Sequence, residues 1–151
     1  MKRFLKSIYT KLFKINDTPQ KVSLGFGLGT FSGIMPGMGP LAALFLAFIL
    51  RANRASALLG SLLTNTWLSF VTFIFSFKIG SAVLGVKYED VRTAWLLFVK
   101  DFRILDLFKA SILKIALPIM LGYLVIGIFC GLTAYLITLA ILTLTKHKKV
   151  E

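Results

Sequence analysis

The chain has 151 residues, 57% of them hydrophobic, with a mean hydropathy of +0.83 and a net charge of +12 from 18 Lys and Arg against 6 Asp and Glu. Soluble domains hold about 45–50% apolar residues, and a water-soluble fold of this length cannot cover the excess, which excludes an ordinary soluble enzyme. The basic residues flank long apolar runs, which directs them to anionic lipid headgroups rather than to nucleic acid, and the single Cys130 lies inside such a run and offers no disulfide framework.

Residues 1–16 carry Phe4, Leu5, Ile8, Tyr9, Leu12 and Phe13 at helical spacing, with Lys2, Arg3, Lys6, Lys11 and Lys14 over much of the remainder. This pattern predicts a basic amphipathic helix lying in the membrane interface; a helix packed on a partner protein is the alternative. The lysines interrupt the continuous apolar stretch that a secretory signal needs. Asn16-Asp17-Thr18-Pro19 then closes this helix and opens the next, with Asp17 or Thr18 as N-cap and Pro19 at the first helical position.

Three apolar runs follow, at 22–50, 55–84 and 115–145, and each exceeds the ~20 residues a helix needs to cross a bilayer core. They predict one membrane domain over 17–145 of an all-α integral membrane protein. The first run is interrupted near its middle by Pro36-Gly37-Met38-Gly39-Pro40. Two prolines and two glycines remove backbone donors and helix propensity, so the helix should break. Lipid cannot satisfy the freed backbone groups, so protein or water must cover them. Each half is about 15–20 Å long. Lys21 precedes the run, and Arg51 and Arg54 follow it. Positive charge at both flanks favours a re-entrant hairpin over a kinked span. Gly25, Gly29, Gly33 and Gly37 recur every four residues and leave one helix face nearly bare. Close helix packing is the expected use of Gly25, Gly29 and Gly33; a smooth path for a sliding ligand is the sharper one.

The second run holds Thr64-Asn65-Thr66. An asparagine in apolar surroundings needs a partner, and the broken backbone of the first run is the natural one. Residues 85–114 carry Glu89, Asp90, Asp101 and Asp106, with Val91, Trp95, Phe98, Phe102 and Leu105 on a helical stripe. They predict one or two amphipathic surface helices, with Trp95 as an interfacial anchor. The third run is too long for one untilted span and short for two. It is either one tilted helix or a hairpin bent at Pro118, Gly122, Gly127 and Gly131. The tail 146–151 begins Lys146-His147-Lys148-Lys149, so both termini are expected in the cytoplasm.

No acid or histidine lies in any apolar run, which argues against a proton relay. A lone His147 makes no metal-ligand set, and no nucleophile with a base can be assembled. Gly37-Met38-Gly39-Pro40-Leu41-Ala42 matches the letters of a dinucleotide fingerprint, but no strand precedes it. The reading is therefore no enzyme, no cofactor and no metal. Pro36, Gly37, Gly39, Pro40, Thr64, Asn65, Thr66, Arg51 and Arg54 are the candidate ligand path. The half-helix starting near Leu41 aims free N–H groups at the break, and the cations flank it.

The stretch from Thr18-Pro19-Gln20-Lys21 through Gly33 to Pro36, then Leu50-Arg51-Ala52-Asn53 and Ala57-Leu58-Leu59-Gly60, resembles the domain-of-unknown-function 2062 family of small prokaryotic membrane proteins. The matching features are Lys21 with Gly25, Gly33 with Pro36, Arg51 with Asn53, and Thr64-Asn65. Thr66 stands where the family commonly has proline, and Pro40 near where a polar residue is common. The resemblance implies an inner-membrane location and no established activity; some relatives are joined to or neighbour glycosyltransferases. The expected function is a carrier or scramblase-like protein for an anionic lipid or small anion, working as a homo-oligomer among anionic membrane lipids. A non-transporting scaffold that recruits a glycosyltransferase is the competing expectation.

Overall fold

The structure is a computed structural model that describes residues 17–35, 39–64, 66–100 and 111–147. The expected interfacial helix at 1–16, Pro36, Gly37, Asn65 and the segment 101–110 lie outside the described residues. The described residues form six helices: α1 Pro19–Ile34, α2 Gly39–Ile49, α3 Arg54–Leu63, α4 Thr66–Leu84, α5 Tyr88–Lys100 and α6 Ser111–His147. The described chain is all-helical, as expected. It divides into two compact units, one within Met1–Asn65 and Phe129–Glu151, the other Thr66–Ile128.

In the first unit α1 starts at Thr18, whose backbone is extended and whose hydroxyl accepts from the Lys21 N–H at 3.4 Å. Thr18 is therefore the N-cap and Pro19 the first helical residue. The helix stops at Ile34, where Met35 turns extended and its N–H falls back on the Ser32 carbonyl at 3.1 Å. A new helix begins at Gly39, so the first apolar run is broken where its prolines and glycines predict. Gly39 sits beside Gly33, and at the far end the Asn53 N–H donates to the Lys21 carbonyl at 3.0 Å. The chain thus returns along α2 to the end at which α1 began, as a helical hairpin.

α3 then runs parallel to α1. Gly25 faces the Asn53 carbonyl, Gly29 the Ala57 carbonyl, and Gly33 Ser61 and Thr64, so successive turns of one helix meet successive turns of the other. From α3, Gly60 presses on the Phe26 carbonyl in return. Bare glycine faces let the two backbones approach closely, which is how helices associate where no hydrophobic effect drives them together. The opposite face of α1 receives α6: Gly27 meets Gly131 and Tyr135, and Gly131 meets Phe31, an antiparallel register.

In the second unit Ser76 and Gly80 of α4 meet Gly122 and Pro118 of α6, again with small residues four apart on both helices. α5 lies on α4 through an aromatic cluster in which Trp95 stands 5.3 Å from Phe73 and 6.0 Å from Phe77. α6 is one helix of 37 residues with Pro118 inside it, which decides between the two readings of the third run in favour of a single helix. Pro118 and Gly122 lie within this helix at its contact with α4. Of the expected amphipathic segment at 85–114, Tyr88–Lys100 is the helix α5, 101–110 lie outside the described residues, and residues from Ser111 onward belong to α6.

The second apolar run is also two helices, α3 and α4. Among the described residues one helix, Ile115–Thr145, is long and apolar enough to cross a membrane; Gly39–Ile49, Arg54–Leu63 and Val71–Leu84 are shorter apolar helices. The sequence runs overstate the spans because they continue through the breaks.

Candidate functional site

Three helix ends and a turn meet at one end of the first unit, and their geometry follows from a few polar residues. Asn53 is almost fully buried. Its Oδ1 accepts from the Ser56 N–H at 2.8 Å and caps α3, while its Nδ2 donates to Asp17 Oδ2 at 2.8 Å. Ser56 Oγ donates to the Val22 carbonyl at 2.7 Å. Asn53 thereby fastens the start of α3 to the start of α1. Asp17 is occupied by this bond and leaves the N-cap of α1 to Thr18.

The turn from α2 into α3 closes through two bonds. The Ala52 N–H donates to the Ala47 carbonyl at 2.9 Å, and the Arg51 N–H donates to the Phe48 carbonyl at 3.3 Å. This is a Schellman motif, with buried Ala52 packed near Ala47 as its apolar contact. Its left-handed residue is Arg51, at φ 52°, where glycine is usual. Arg51 and Arg54 are both exposed. The Arg54 guanidinium lies over the Phe48 ring, 4.9 Å from its centroid.

The break lies at the other end of the hairpin. Thr64 is buried at the C-cap of α3, where its hydroxyl donates to the Gly60 carbonyl at 2.9 Å, and the same oxygen fills the space above Gly33. Gly39 is buried against Gly33 and Ser32; Pro40 is exposed; Thr66 opens α4. The Ser23 and Ser32 hydroxyls are buried without a hydrogen-bond partner.

The predicted path residues therefore separate into two places. Thr64, Gly39 and Pro40 lie near the break, and Arg51 and Arg54 lie roughly one α2 length away, about 16 Å at the helical rise. The glycine face of α1 is filled by α3, which supports packing and leaves no sliding path there. Sequence reasoning offered Asp17 only as an alternative N-cap of α1 and Asn53 only as part of the family resemblance, and it assigned no role to Ser56. The signal was available: an asparagine three residues ahead of a serine, just before an apolar run, is an N-cap pattern. An open apolar groove of about 350 Å³ lies between Phe26 of α1 and Phe129, Cys130, Thr133 and Ile137 of α6. Among the described residues no group of acidic, histidine or cysteine side chains could hold a metal.

These features define an all-helical protein whose first unit is a broken helical hairpin closed by a parallel third helix. The chain belongs to the family described as "Uncharacterized protein conserved in bacteria (DUF2062)", which it matches over residues 2–151. No curated protein and no solved structure matches it.

Proposed function

We propose that this is an integral protein of the bacterial inner membrane that carries an anionic lipid or small anion across it. The observation that supports a membrane setting is the distribution of side chains. Buried positions hold Ser23, Ser32, Ser56, Ser61, Ser76 and small alanines, whereas Phe45, Phe129, Leu136 and Leu144 point outward. Water would favour the reverse arrangement, and an apolar surface of this extent needs lipid or protein around it. The Lys21, Arg51 and Arg54 end of the hairpin is also the end toward which α6 runs before the basic tail. Positive charge gathered at one end supports cytoplasmic termini.

For translocation the support is that the end of α1 at Ile34, the start of α2 at Gly39 and the end of α3 at Thr64 all lie at the level of Gly33. Helix ends expose polar backbone, which a membrane protein tolerates where a polar group is handled. The test is reconstitution into liposomes carrying fluorescent phosphatidylglycerol, followed by quenching of the outer leaflet with dithionite. Loss of signal beyond the outer-leaflet share is the expected result for a lipid; a signal equal to protein-free liposomes, together with no release of entrapped chloride or phosphate, overturns translocation. The sealed contact between α1 and α3 favours the second reading, a scaffold that recruits a partner such as a glycosyltransferase. Under it, flux is absent and a glycosyltransferase co-purifies from the native membrane. For topology, a cysteine at Thr145 in a Cys130-free chain should resist an impermeant thiol reagent in intact cells.

A further inference from the structure

We infer that the turn between α2 and α3 is a receptor for the phosphate of an anionic phospholipid, whose acyl chain lies along the outer face of α2. The inference rests on the membrane setting proposed above and names the ligand chemistry of one end of the hairpin.

Three cationic residues stand at this turn and at the helix start bonded to it. Arg51 and Arg54 flank Asn53 in the chain, and the Asn53 N–H donates to the carbonyl of Lys21. All three side chains are exposed. Asp17, the carboxylate at this end, bonds the neutral Asn53 amide. The one salt bridge among the described residues, Arg92 with Glu89, lies in α5. Among the described residues no carboxylate forms a salt bridge with these three cations, and Asp17 offsets only one of the three charges.

Arg51 is held where a side chain is disfavoured. The fold contains a second Schellman motif, at the end of α4, with the Val86 N–H on the Ser81 carbonyl and the Gly85 N–H on the Ala82 carbonyl. Its left-handed residue is Gly85, at φ 66°. The same backbone device thus carries glycine at one helix end and arginine at the other. Headgroup snorkelling accounts for cations near an apolar run in general, but not for placing one at the single left-handed residue of the turn. Arg54 is held over the Phe48 ring yet exposed, so its guanidinium remains within reach of an anion. The planar fork of arginine suits phosphate oxygens.

The apolar part of the ligand is indicated by α2. Leu41, Phe45 and Phe48 lie on one face of the helix and are 70%, 64% and 62% exposed. This stripe runs directly to Arg54 through the Phe48 ring. A free phosphate would use the cations and leave the stripe idle. A phospholipid uses both.

The experiment is native mass spectrometry and thermal-shift measurement on the detergent-solubilised chain, with dioleoylphosphatidate, dioleoylphosphatidylcholine or inorganic phosphate as the probe. Phosphatidate should be retained in preference to phosphatidylcholine and should raise the melting midpoint, with inorganic phosphate doing neither. Arg51→Gly and Arg54→Gln should each weaken phosphatidate binding about fivefold, the effect of one cation near a lipid surface. Arg51→Gly should leave the lipid-free midpoint unchanged or raised, since glycine suits the turn. Wild-type retention by both variants, equal retention of phosphatidylcholine, or matching stabilisation by inorganic phosphate overturns the proposal. The liposome flux assay is a separate readout: retention without flux leaves the receptor and removes translocation, and flux without selective retention does the opposite. A chain that stays soluble without detergent removes the membrane setting and the receptor with it.

Discussion

Gly29 of α1 lies so close to the Ala57 carbonyl of α3 that a methyl group added to Gly29 would fall on that oxygen. In an exposed helix, Gly→Ala stabilises by about 1 kcal/mol. Here the obstacle is backbone, which cannot swing aside as a flexible side chain can. Gly29→Ala should therefore destabilise the first unit by about 1–3 kcal/mol, the usual range for overpacking. The check is the thermal midpoint in detergent. A raised midpoint would show that α1 and α3 stand further apart than described.

Asn53 joins two helix starts, so its loss should exceed that of an ordinary cap. Asn53→Ala removes the α3 cap, typically ~0.5–2 kcal/mol, and strips Asp17 of the buried amide it accepts from. Asp17→Ala leaves Nδ2 of Asn53 without that acceptor but spares the α3 cap. The double variant should be less destabilised than the sum of the singles, by roughly 1 kcal/mol of coupling. Strict additivity in denaturation midpoints would break the proposed link between the α1 and α3 starts.

Much of the first unit was legible in the residues before any coordinates. The Pro36 to Pro40 cluster announced the break, because proline removes a donor whatever the tertiary context. The four-residue glycine spacing announced close packing of α1. The third run left two readings open, since Pro118 can bend a helix or sit within one, and only the unbroken helix from Ser111 to His147 separates them. The separation of Arg51 from the break follows from the hairpin reading of the first run, since Arg51 comes after the second half of that run and the break lies at its middle. Ser76 and Gly80 are legible as small residues four apart, but their partners Gly122 and Pro118 lie about forty residues on in the chain and only the fold brings them together.

Trp95 joins α5 to α4 through Phe73 and Phe77, with Phe98 at 6.1 Å on its other side. Aromatic pairs of this kind contribute about 0.5–1.5 kcal/mol each beyond the area they bury. Trp95→Ala should release α5 before the rest of the second unit melts. Limited proteolysis should then cut near Lys87 or Arg92 at protease levels that leave the parent chain intact. Trp95→Phe should restore protection. Equal cleavage of parent and Trp95→Ala chains would show that α5 is held by something other than this cluster.

The two Schellman turns give a paired prediction of opposite sign. Gly85 has nothing within 4 Å of where a Cβ would stand, so Gly85→Ala meets no steric obstacle. Its cost is conformational only, an L side chain at φ 66°, about 1–2 kcal/mol. Arg51 already bears that cost at φ 52°, and Arg51→Gly should recover part of it. Some of the gain is offset because glycine has more freedom to lose on folding, so the net rise should be below ~1 kcal/mol. Thermal midpoints of lipid-free protein should fall for Gly85→Ala by roughly 2–6 °C and rise slightly for Arg51→Gly. If Arg51→Gly instead lowers the midpoint, the Arg51 side chain contributes to the fold, and its retention at a left-handed position no longer points to a ligand.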